Sequence, residues 1–81
     1  MRLDKFLKVS RIIKRRSVAA EAADGGRVSV NGKPAKPSHT LKTGDTVEVS
    51  FGSGKLKFKV LALTEHIKKD NADTMYEILS E

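Results

Sequence analysis

The hydrophobic period of this chain changes once, at Gly25-Gly26, and that change restricts the fold more than any other feature. Before the glycine pair, Leu3, Phe6 and Leu7 recur at the three-and-four spacing of one helical face, and Ile13 returns to it two turns later. After the pair, apolar residues alternate with polar ones: Val28 and Val30, then Val47, Val49 and Phe51, then Leu56, Phe58 and Val60. A chain of 81 residues makes one small domain. Helical period first and strand period later, in a single core, predict an α+β architecture: two packed short helices followed by a small twisted antiparallel sheet.

The first helix ends at one of two corners, Ser10-Arg11 or Lys14-Arg15-Arg16. The second is expected over about residues 16–24, a stretch dominated by alanine, the strongest helix former. Ser17 is a candidate cap for its first turn. Val18, Ala19, Ala22 and Ala23 share a face with almost no side-chain bulk, which lets the first helix approach closely. Gly25-Gly26 stops the helix by supplying the left-handed conformation a helix end uses.

Beyond the glycines, Val28 to Val30 reads as a short strand ending in Asn31-Gly32, a tight-turn signal. Pro34 and Pro37 bracket a stretch suited to an edge strand or a loop, because proline cannot donate to a central ladder. Lys42-Thr43-Gly44-Asp45 reads as a second turn and Thr46–Phe51 as a strand. Gly52-Ser53-Gly54 then reverses the chain into Lys55–Val60, a hairpin whose outer face carries Lys55, Lys57 and Lys59. Residues 65–73 are polar, a loop or short helix, and Met75 to Leu79 suits a closing strand or short helix. Residues 52–81 are thus expected to complete the same domain as residues 1–51.

Several chemistries are excluded early. The absence of cysteine removes disulfides, thiolate metal sites and thiol nucleophiles. His39 and His66 stand far apart with no carboxylates at ligand spacing, so no metal and no cofactor is implied. The serines sit in no nucleophile elbow, and a domain this small has little volume for a desolvated pocket, so no enzyme is expected. Apolar runs are too short to span a membrane or to serve as a signal peptide, which makes a cytoplasmic protein the expectation.

The charge is the positive clue. The chain carries +6 overall, distributed as +6 over residues 1–16, +3 over residues 17–59 and −3 over residues 60–81. A basic end segregated in this way is the electrostatic footprint of a nucleic-acid binder. Lys14-Arg15-Arg16 sits at the expected start of the second helix, where the dipole is already positive and each cation costs roughly 0.3–1 kcal/mol. Free amides, dipole and cations together there would make an anion site, which points to a phosphate contact.

At this level of detail the chain resembles a family. Arg2-Leu3-Asp4-Lys5-Phe6-Leu7, Arg15-Arg16-Ser17-x-Ala19, Gly26-x-Val28-x-Val30-Asn31-Gly32 and Gly44-Asp45-x-Val47-x-Val49 fall in the order and spacing of the S-four RNA-binding domain. The resemblance covers residues 1–51 and departs at Arg15, where the family usually has Ser or Thr. It implies an RNA surface along the helix pair and the adjoining turn. Position by position, the RNA-binding residues it implicates, with the neighbouring cations of the basic run, are Arg2, Lys5, Arg11, Lys14, Arg15, Arg16, Asn31 and Lys33. Asp4 is implied to be structural, bonding the backbone or an arginine.

Over its full length, to Ala72-x-x-Met75-Tyr76, the chain resembles the small stand-alone members of that family that serve ribosome-associated quality control. That likeness implies as partners large-subunit rRNA, peptidyl-tRNA left on a split ribosome, and a NEMF-family tailing factor whose C-terminal alanine addition the protein supports. It also implies a monomer off the ribosome. A ribosome-assembly or heat-shock-type large-subunit recycling factor is the alternative. The four aromatics, Phe6, Phe51, Phe58 and Tyr76, fit core positions, so recognition by phosphate and shape is expected rather than by base stacking.

Overall fold

A computed structural model of the chain describes residues 1–52, 54–64 and 74–79. The expected loop or helix over residues 65–73 lies outside the described residues. Helix α1 (Leu3–Val9) and helix α2 (Arg16–Asp24) precede strands β1 (Val28–Val30), β2 (Lys33–Pro34), β3 (Thr46–Phe51), β4 (Gly54–Val60) and β5 (Tyr76–Ile78). The strands form one antiparallel sheet in the order β2-β1-β3-β4-β5. The α+β architecture expected from the change of period is the one observed.

Register places the apolar rows on one face of the sheet. Val28 stands opposite Val49, Val30 opposite Val47, and Val47 opposite Phe58 on the far side. These residues are buried, whereas Glu48 opposite Lys57 and Thr46 opposite Lys59 occupy the outer face. Leu3, Phe6 and Leu7 from α1 and Ala19, Ala22 and Ala23 from α2 complete the core. Three rings tie its layers: Phe6 stacks on Phe58 at 6.0 Å between centroids, and Phe58 meets Tyr76 edge-on at 5.6 Å. Aromatic contacts of this kind add about 0.5–1.5 kcal/mol to the area they bury.

The helix ends follow local rules. Gly26 (φ 76°) is the left-handed residue after α2. The Arg27 N–H donates to the Ala22 carbonyl and the Gly26 N–H to the Ala23 carbonyl, the paired bonds of a Schellman motif. Asn31 (φ 52°) and Gly32 (φ 84°) are both left-handed, so β1 and β2 are joined by a type I′ turn as the Asn-Gly pair predicts. Lys33–Pro34 is an edge strand, and the closing segment resolves as strand β5.

Four expectations are corrected. Helix α1 stops at Val9, the earlier of the two corners, because Arg11 takes φ 64°, so Ile13 enters the core from the connection and not from the helix. The N-cap position of α2 is held by Arg15 and not Ser17, and no side chain caps that end. Val18 is 47% exposed, because α1 covers only the alanine side of α2. Phe51 is 45% exposed, because it stands opposite Gly54, which has no side chain to shield the ring.

Leu7 is fully buried between helix and sheet. Leu7→Ala is expected to lower unfolding free energy by about 2–5 kcal/mol, read by chemical denaturation. A domain of this size would be left largely unfolded; an unchanged midpoint would mean that α1 does not pack as described.

Candidate nucleic-acid interface

The start of α1 is closed by backbone from elsewhere in the chain. The Leu3 N–H donates to the His39 carbonyl at 2.8 Å and the Asp4 N–H to the Pro37 carbonyl at 3.1 Å. The Leu41 N–H donates to the Met1 carbonyl at 2.9 Å, and Arg2 bridges Thr40. Two of the amides a helix start leaves unpaired are thereby satisfied, and the 37–41 segment folds over Asp4. Asp4 is 3% exposed.

A carboxylate buried to that degree must be paired. Asp4 Oδ1 accepts from the Lys5 N–H at 2.7 Å and from Arg2 Nε at 3.2 Å, and Oδ2 accepts from Arg2 Nη2 at 3.1 Å. Arg16 Nε lies 3.4 Å from the same Oδ2. The Arg2 fork is bidentate, which fixes the plane of its guanidinium. Two arginines therefore share one carboxylate, and the cluster keeps a net positive charge. Their side chains are 52% and 48% exposed, so both remain half open to solvent while paired. The structural role implied for Asp4 is the one observed. The carboxylate also supplies, from α1, the negative charge that the first turn of α2 lacks among its own residues.

The remaining candidate residues divide. Lys14 and Arg15 are exposed in the corner between the helices, and Arg11 is exposed there in its left-handed conformation. A residue other than glycine at positive φ costs of order 1–3 kcal/mol and persists only where its surroundings enforce it. Here the enforcement is visible: the Arg11 N–H donates to the Lys8 carbonyl and the Ile13 N–H to the Leu7 carbonyl. Lys5 is half-buried on α1. Lys33 is exposed where β2 leaves the turn. Asn31 is engaged in the fold, its amide donating to Asp45 Oδ1 at 3.2 Å and its carbonyl accepting the Thr46 N–H at 3.0 Å. Asp45 in turn accepts the Lys42 N–H at 2.9 Å, so the two turns brace each other and hold Lys33 in place. The pairing of Asp4 with Arg16 was not legible in the sequence, since twelve positions separate them and no local rule joins them.

The chain matches the family model described as S4 domain over residues 1–47. It belongs to the S4 domain family. The RQC P-site tRNA stabilizing factor of Streptococcus pneumoniae is 59% identical to it across all 81 residues and 92% of its own length. The factor of the same name from Bacillus subtilis is 53% identical, with all of this chain and 94% of that one aligned. The solved trimeric structure of heat shock protein 15 from Vibrio cholerae superposes with a TM-score of 0.91 at 28% identity, covering 99% of this chain and 82% of that one. The family resemblance and its two branches, expected from the motifs, are both found.

Asp4→Ala separates geometry from charge. It raises the net charge above +6, so a surface acting by charge alone would bind a polyanion more tightly. The variant is expected to bind RNA more weakly, because Arg2 and Arg16 lose the group that orients them. Stability should fall by about 1–2 kcal/mol, in the lower range for charged hydrogen bonds because both guanidiniums are half in water. Denaturation and an RNA titration on the same variant check both outcomes.

Proposed function

We propose that this chain is a non-enzymatic RNA-binding protein that docks on the large ribosomal subunit and steadies the peptidyl-tRNA in its P site. The observation that carries the reading is the Asp4 cluster: Arg2 at the start of α1 and Arg16 at the start of α2, held on one buried carboxylate with their side chains half exposed. Such an arrangement is suited to phosphate, which accepts bidentate hydrogen bonds from guanidinium. The uncapped start of α2 adds amides and a positive dipole beside the same cations. The names of full-length relatives more than half identical to this chain support the P-site tRNA and the quality-control setting.

The mechanism is positional. Arg2 and Arg16 form the centre of the contact; Arg11, Lys14 and Arg15 extend it along the corner; Lys5 and Lys33 lie toward its margins. Because the fold already fixes the central side chains, little rotamer freedom remains to be lost on binding. Through this contact the protein supports C-terminal alanine tailing by a NEMF-family tailing factor, acting as a cytoplasmic monomer that joins the ribosome. A heat-shock-type recycling factor is the second reading, favoured by the likeness in fold and sequence to heat shock protein 15. Sedimentation separates the two: recovery on large subunits that carry peptidyl-tRNA, but not on empty ones, supports the first.

Two measurements test the docking face. If about four to six phosphates are neutralised, log affinity should fall against log salt with a slope of roughly 0.7–0.9 per contact. A nearly flat dependence would end the electrostatic reading. Arg16→Ala should weaken co-sedimentation with large subunits by about 1–3 kcal/mol. Its stability should shift by less than about 0.5 kcal/mol, because the lost pairing with Asp4 is offset by relief of the helix dipole. Lys59→Ala, on the outer face of the sheet, should bind nearly as the unaltered chain does. Equal losses at the two positions would place the contact in diffuse charge and not on the helix pair.

A further inference from the structure

The inward row of β3 runs Val47, Val49, Phe51, and its first two members are buried while the third is not. Across the hairpin Phe51 stands opposite Gly54, so no cross-strand side chain covers its ring. On the facing side stand Val18, also exposed, and Ile12 and Ile13 from the connection between the helices. Together with Arg27 and Ser50 they line a groove of about 340 Å³. The Arg27 backbone is fixed at both ends, its N–H on the Ala22 carbonyl and its carbonyl accepting the Ser50 N–H at 2.8 Å, so its side chain leaves from a rigid point at the groove wall.

The chemistry of this groove is uneven in an informative way. Its walls are largely apolar and include one open aromatic ring; among the described residues its one charged lining residue is a cation and no carboxylate lines it. Arg11 and Lys14 flank Ile12-Ile13 in sequence, so the segment that forms one wall also belongs to the basic corner. An aliphatic protein segment would bury its side chains but leave these cations without partners. A nucleotide out of the helical stack supplies both halves: a flat base for the ring and a phosphate on each side for the cations. Aromatic rings set beside arginine in a basic groove are the usual platform for unpaired bases.

We propose that this groove receives one unpaired nucleobase of the bound RNA, stacked on Phe51, with Arg27 on the adjoining phosphate. The inference rests on the RNA-binding reading above and adds base stacking to the phosphate and shape recognition expected from the sequence. The protein would then distinguish RNA with an extruded nucleotide from continuous duplex, while remaining indifferent to which base is extruded.

The probe is an RNA hairpin carrying 2-aminopurine as a single-nucleotide bulge, compared with the same hairpin in which that base is paired. With the full chain, the bulged hairpin is expected to bind roughly 5- to 150-fold more tightly, the range spanned by one base–aromatic stack. Its fluorescence should be quenched at saturation. Phe51→Ala should erase the preference and the quenching without altering the salt slope, and Phe51→Tyr should retain both. Arg27→Ala should lower the salt slope for the bulged hairpin by about one contact. Phe51→Leu serves as a folded control with apolar bulk but no ring, and it should lose the quenching.

Steep salt dependence with equal affinity for the two hairpins would overturn the groove assignment and leave the helix-pair reading standing. Failure of both hairpins to bind at roughly 50 mM salt, where phosphate contacts are strong, would remove both. Unchanged RNA binding by Phe51→Ala, together with a self-association that this substitution abolishes, would assign the groove to a second copy of the chain and overturn the proposal.

Discussion

One buried carboxylate organises the basic end of this protein. Asp4 lies beneath the 37–41 segment and is joined to its neighbour's amide, to Arg2 in a two-point fork and to Arg16 across the helix pair. Removing water from a carboxylate is costly unless charged donors replace it, and here the residue before α1 and the first residue of α2 each bring an arginine to this point. Among the described residues, each arginine is paired through this one carboxylate. The packing that closes the core therefore also fixes how two cations are presented at the surface.

The rest of the architecture serves to hold that point still. Alanines on α2 let the helices approach, and the Phe6–Phe58–Tyr76 series links α1 through β4 to the far edge of the sheet. Two braced turns, joined through Asn31 and Asp45, lock the start of β3 to the β1–β2 hairpin. A domain of 81 residues has little hydrophobic surplus, so these local, geometrically strict contacts matter more than they would in a larger core.

The parts of the fold that were legible are those in which a local rule decides. Alternation at Val28–Val30 and Thr46–Phe51, the Asn31-Gly32 turn and the glycine stop after α2 each follow from backbone sterics or period. The end of α1 was ambiguous because Ile13 keeps the helical spacing after the helix has stopped; only the left-handed Arg11 reveals the break. Burial was less legible than periodicity. A repeating pattern says which face a side chain shares but not whether anything covers it, and so Val18 and Phe51 were assigned to packed faces they do not occupy. The basic corner was readable as a charge run, whereas the pairing that orients it depends on tertiary contact.

Strand β2 has a consequence for how any partner must approach. It forms one border of the sheet with only two residues, and the second is Pro34, which has no amide proton. An incoming extended chain would find almost no ladder to continue, so annealing of a foreign strand along this border is blocked by covalent structure. The border also lies at the turn that carries Lys33. Contact there is confined to side chains, and this margin can stay exposed without templating aggregation of other chains.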